Sequence, residues 1–117
     1  MHLPGIEKSQ AHILVDLIDY VPHSVVFRTL VHKTTGNIIV IAIDSGESME
    51  EKISPFDTYI QIIEGESEIV IDNSSAILAT GQAILIPAHA ANLIRAHNPS
   101  KMLVTVIKSG YEGITTW

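Results

Sequence analysis

From Ser24 onward the chain is a succession of short β-branched segments, each cut off by turn formers, and few folds accommodate that rhythm. SVVFRTLVH, NIIVIAID, TYIQIIEG, ESEIVID, SAILAT, QAILIPA, ANLIRAH and KMLVTVIKS are separated by TTGN, SGES, Glu64-Gly65, Asp72-Asn73-Ser74, Gly81, Pro87 and Asn98-Pro99. Val, Ile and Thr pack well on a pleated surface, while Gly, Asn and Pro supply the conformations that reverse a chain. Roughly nine short strands in succession predict an antiparallel sandwich or barrel. IIVIAI, IVI, AILI and LVTVI are apolar at successive positions. A strand with one wet face should alternate, so both faces of these strands are expected to be covered. The chain ends can cover part of the outer face, and a symmetric homodimer burying one sheet is expected to cover the rest.

Ahead of the strands, HILVDLIDYV places Ile13, Leu14, Leu17, Ile18 and Val21 three and four residues apart. That spacing predicts a short amphipathic helix closed by Pro22. The 117 residues suit one domain, divided into an N-terminal arm with a short helix (1–23), a β-barrel (24–108) and a C-terminal tail (109–117). Thirteen acids outweigh seven basic residues, which are scattered along the chain, so neither a nucleic-acid partner nor an anionic membrane surface is expected. No basic segment followed by an apolar one opens the chain, and no apolar run approaches the ~20 residues that cross a bilayer. The expectation is a soluble, cytoplasmic protein. With no cysteine, disulfides, thiolate metal sites and a cysteine nucleophile are excluded.

Two spacings point further. Gly46 and Gly65 stand nineteen positions apart, and GQAILIPAHAANLIRA carries Gly81 and Pro87 in a second fixed pattern. Together they resemble the two motifs of the cupin superfamily, GxxxxxHxHxxxExxxxxxG and GxxxxxPxGxxHxxxN, and SPFDTYIQIIEGESEIVID is similar to small bacterial single-domain cupins of undefined activity. The resemblance implies an all-β fold, a cupin-type double-stranded β-helix or jelly-roll barrel, here with the short N-terminal helix in front. It also implies a site inside the barrel. Lys52, Ser54 and Thr58 fall at the first motif's two histidines and glutamate, and Asn92 falls at the second motif's histidine; His89 takes a glycine position and Ala96 the final asparagine.

These replacements change the chemistry. Imidazoles and a carboxylate ligate transition metals, whereas an ammonium accepts nothing and hydroxyls and a neutral amide are weak ligands. No metal and no other cofactor is therefore expected. Lys52, Ser54, Thr58 and Asn92 are expected to converge as a hydrogen-bonding set with one cation, suited to a small organic ligand whose anionic group pairs with Lys52. The first functional reading is a metal-free small-molecule binding protein, regulatory or sensory. The second is an isomerase, epimerase or lyase acting on a sugar or small acid, with Lys52 and His89 as its working groups and His89 as the candidate catalytic base. The third is a structural homodimer in which the pocket is vestigial and Lys52 snorkels to water. Asp57 is out of phase with Thr58 and is expected to cap the turn after Ser54-Pro55. Tyr59 and Gln61 point away from Thr58 and are interface candidates, while Glu47, Glu50 and Glu51 read as a solvated loop. No phosphate loop, nucleophile elbow or zinc-protease motif is present.

Overall fold

Nine strands in two antiparallel sheets make up the core of the computed structural model, which describes residues 5–51 and 53–108. In chain order they are β1 (Val25–Lys33), β2 (Gly36–Ile43), β3 (Ser48–Glu51), β4 (Asp57–Glu64), β5 (Glu66–Ile71), β6 (Ser74–Ala79), β7 (Ala83–Ile86), β8 (Asn92–Ala96) and β9 (Ser100–Ile107). One sheet runs β1-β2-β9-β4-β7 and the other β3-β8-β5-β6, so the chain crosses repeatedly between sheets, as in a jelly roll. The expected tail, 109–117, lies outside the described residues.

Eight strands coincide with the β-branched runs, and the ninth corrects the sequence reading. Glu47, Glu50 and Glu51 read as a loop, yet Ser48–Glu51 forms β3 and pairs with β8 from Ser48↔Arg95 to Glu51↔Asn92. β3 is an edge strand, where exposed charge such as Glu50 discourages pairing with another chain, so the residues that hid it from the pattern suit its place.

The expected N-terminal helix is also corrected. Only a four-residue 3₁₀ turn forms, Leu14–Leu17, and the backbone at Ile18 is already extended (φ −149°, ψ 144°). Ile13 at the N-cap position offers no side-chain hydrogen bond, the segment holds four β-branched residues, and Pro22 leaves too little length for an isolated helix to offset its nucleation cost. Its apolar residues are used differently: the segment crosses the outer face of the five-stranded sheet as an extended arm. Ile18, Leu30, Val40 and Ala42 form a second buried cluster there, with Ile6, Leu17 and Tyr20 against it.

This arm explains the continuous apolar run in β2. Ile41 and Ile43 enter the main core between the sheets while Val40 and Ala42 enter the outer cluster, and all four are at most 2 % exposed. Both faces of β2 are covered, as the sequence predicts, and the outer cover is the chain's own arm; the same expectation for AILI does not hold, since Leu85 of β7 is exposed. Tyr59 and Leu85, paired across β4 and β7, stay exposed on the part of the outer face that the arm leaves open.

Two register shifts shape this arrangement. One, between Thr29 and Val31, leaves Leu30 as the extra residue of β1 and sends it into the outer cluster. The other, between Ile62 and Glu64, brings Glu64 opposite Lys101 on the outer face. There Tyr20 donates to Glu64 Oε2 at 2.6 Å, and Lys101 donates to Val15 O at 2.6 Å with its ammonium 5.0 Å from the Tyr20 ring centre. Burial first, and then the bond to Glu64, hold the Tyr20 phenol well above its ordinary pKa. The arm is thus fastened by polar contacts as well as by apolar ones.

Candidate functional site

At one end of the barrel the sheets separate around a cavity of about 380 Å³. Its wall is aliphatic: Ile39 and Ile41 from β2, Ile86 from β7, Val104 and Val106 from β9, and Ala90 from the turn before β8, with Phe27, Ile53 and Phe56 at the rim. Alternation along the strands places them, since the residues between them face outward into the arm or solvent.

Ser54, Thr58 and Asn92 all line this cavity. Three of the four expected site residues therefore meet. The fourth, Lys52, lies outside the described residues. Ser54 belongs to the turn entering β4, where its Oγ accepts from Phe56 N at 3.0 Å. Thr58 is half-buried at the start of β4, opposite Ile86. Asn92 opens β8 opposite Ile71, and its Oδ1 is buried without a hydrogen-bond partner among the described residues. A buried acceptor left unmatched costs about 1–3 kcal/mol. Asn92 thus brings an amide to the cavity wall, with its oxygen unmatched among the described residues.

Two turns are stapled at this end. His89 N donates to Ser54 O at 2.6 Å, and Ala88 N donates to Asp57 Oδ1 at 2.9 Å. Asp57 therefore caps the turn before β8 while Ser54 caps its own, a division of labour that alternation did not reveal. His89 occupies the left-handed region (φ 69°), is exposed, and is not among the residues lining the cavity. The glycine position it fills requires that conformation, which His tolerates better than most side chains.

Two lining residues were not anticipated. Asn37, at the start of β2, and Lys108, just past β9, both reach the cavity. With its amide oriented to satisfy both ends, Asn37 donates to His32 Nδ1 at 2.8 Å and to Gly36 O at 3.1 Å, and accepts from Lys108 Nζ at 3.2 Å. Asn37 reads in sequence as part of the TTGN turn and Lys108 as a strand end. Their meeting depends on the β2–β9 pairing, which brings Asn37 opposite Val106.

Among the described residues the donor set does not fit a transition metal. Two hydroxyls and one neutral amide oxygen stand where the motif ligands would be, and among the described residues no three His, Asp or Glu side chains cluster. Elsewhere, Arg95 and His97 reach Glu68 at 3.6 and 3.0 Å. A bond from Ser75, then one from His97, holds the Glu68 carboxyl below the usual carboxylate range.

Known proteins were compared with this architecture. No family profile matches the sequence, and no curated protein matches it. Solved structures do. A conserved protein of unknown function from Streptococcus pyogenes is 28 % identical, with 93 % of this chain and 96 % of that one covered and a TM-score of 0.84. A cupin superfamily protein from Desulfitobacterium hafniense is 24 % identical, with 93 % and 100 % covered and a TM-score of 0.84. The chain is a small cupin-fold domain. The same cupin fold also serves enzymes: the salicylate 1,2-dioxygenase of Pseudoaminobacter salicylatoxidans aligns at 13 % identity over 71 % of this chain and 26 % of its own, with a TM-score of 0.67. At that distance the cupin likeness concerns architecture alone.

Proposed function

We propose that this cupin-fold chain binds a small organic molecule inside its barrel, without a metal. The observation that carries the reading is the convergence of Asn92, whose buried Oδ1 has no partner among the described residues, with Ser54 and Thr58 on one apolar cavity. Aliphatic walls with a few convergent polar groups suit a ligand with an apolar body and at least one hydroxyl or amide N–H. For scale, a dry cavity of ~150 Å³ takes up benzene, so about 380 Å³ corresponds to roughly fifteen non-hydrogen atoms. A structural residue with a vestigial pocket would more economically carry leucine at position 92.

The test is a thermal-shift screen of small alcohols, amides, acids and sugars on wild type and Asn92→Leu. A ligand at a hundred times its Kd stabilises by ~2.7 kcal/mol, which for a chain of this size raises Tm by about 10 °C. At least one compound should protect the wild type in this way and lose most of the effect in the variant. If no compound protects wild type more than Asn92→Leu, the binding reading fails.

A further inference from the structure

The polar groups contributed by Ser54, Thr58 and Asn92 are neutral, whereas the group on the β2–β9 side of the same cavity is an ammonium. Lys108 is half-buried, and Asn37 Oδ1 accepts one of its three protons at 3.2 Å. Asn37 is itself held by donating to Gly36 O and to His32 Nδ1, which requires that ring nitrogen to be unprotonated. Among the described residues, Lys108 Nζ therefore has one hydrogen-bond partner, Asn37, and two donors that no described side chain takes up. No described carboxylate lies within 4.0 Å of it, although the chain carries thirteen acids against seven bases. An ammonium on the wall of a largely apolar cavity loses hydration that a counter-charge would compensate.

We infer that Lys108, positioned by Asn37, is the anion-recognising residue of the cavity and that the ligand class is a small monocarboxylate with an apolar body and a hydroxyl or amide group. This rests on the binding reading and specifies its chemistry. Among the described residues a single ammonium lines the cavity, and it balances one negative charge, so a carboxylate is matched whereas a phosphate dianion leaves a charge uncompensated beside aliphatic walls. The carboxylate sits at Lys108, the apolar body lies against Ile39, Ile41 and Val104, and the hydroxyl lies toward Ser54, Thr58 and Asn92.

A matched set of probes separates these parts: 3-(4-hydroxyphenyl)propanoate, its neutral amide, and 3-phenylpropanoate, which lacks the hydroxyl. Calorimetry on wild type should give about tenfold tighter binding of the acid than of the amide, the size of one charge-assisted hydrogen bond. Lys108→Met should bring that ratio close to one by weakening the acid far more than the amide, and Lys108→Arg should preserve it. Asn37→Leu should lower the ratio by weakening the acid more than the amide, whereas a merely structural role would weaken both alike. Should Lys108→Met fail to fold, Lys108→Gln supplies the same comparison. Equal binding of acid and amide to wild type, or a ratio that survives in Lys108→Met, overturns the assignment of Lys108 and leaves the cavity reading intact. If none of the three probes binds wild type, the cavity reading falls and this inference falls with it.

Discussion

Replacing Gly65 by alanine tests the fold at the point where the chain passes from one sheet to the other. Gly65 has φ +86°, and a Cβ built there would lie 2.1 Å from Pro99 O and 3.0 Å from Ser100 Cα. Ordinary van der Waals contact begins near 3.4 Å, so the backbone oxygen would have to retreat by more than an ångström. It is poorly placed to do so. Ser100 is fully buried, and its hydroxyl is hydrogen-bonded to the equally buried Ser67 of β5. Gly46 and Gly81 provide an internal control, because they have φ +82° and +91° but meet nothing within 4 Å of the same hypothetical Cβ. Alanine at either control site costs about 1–2 kcal/mol of local conformation, partly offset by a less flexible unfolded chain, for a net of about 1 kcal/mol. At Gly65 the same term is joined by displacement of packed backbone, for a total of about 4 kcal/mol or more. With about 4 °C of Tm per kcal/mol at this size, the expected losses are ~4 °C for Gly46→Ala and Gly81→Ala and 15 °C or more for Gly65→Ala. Urea unfolding followed by circular dichroism measures all three. If their stabilities fall within 1 kcal/mol of one another, the close approach of the two turns is not what fixes glycine at position 65.

Other perturbations separate binding from stability. Asn92→Leu should raise stability by about 1 kcal/mol in urea unfolding, because it removes a buried acceptor that has no partner among the described residues. His89→Gly should stabilise by about 0.5–1 kcal/mol by relieving a left-handed histidine, and should leave affinity for the small-acid probes unchanged. Glu68 and Asp44 both titrate below their ordinary values, the first chiefly through Ser75 and the second through the amides of His23 and Ser45. Their contribution is therefore complete above the unfolded carboxylate range and is lost as pH falls through the lower folded values. Glu68→Gln and Asp44→Asn should each flatten the acid side of a stability profile measured from pH 6 downward. Tyr20→Phe should cost about 1–2 kcal/mol and quicken proteolysis of the arm, since it removes the hydroxyl that reaches Glu64 at 2.6 Å.

Much of the barrel was legible because β-branched runs and turn residues are local signals, and eight strands announce themselves in this way. β3 did not, because an edge strand gains from charge and offers no alternation to detect. The arm was misread for a related reason. Ile13, Leu14, Leu17 and Ile18 have helical spacing, but a sheet surface nearby gave Ile18 and Leu17 a better burial than a four-residue turn could, leaving Ile13 67 % exposed. In the site, Ser54, Thr58 and Asn92 could be placed because motif spacing fixes them relative to the turns. Asn37 and Lys108 could not: they are 71 positions apart and meet only through the pairing of β2 with β9. Bulges were equally hidden, and one of them decides that Glu64 joins Tyr20 outside the barrel instead of entering it.

β2 is a partition one residue thick. Its odd-numbered side chains, Ile39 and Ile41, furnish the inner chamber, while Val40 and Ala42 seat the strap that the amino-terminal segment lays across the back. Any shift in how that strap rests is felt by the same backbone that shapes the chamber, with no intervening layer to absorb it. Changes far from the opening, at Ile18 or Leu17, should therefore register as altered affinity within.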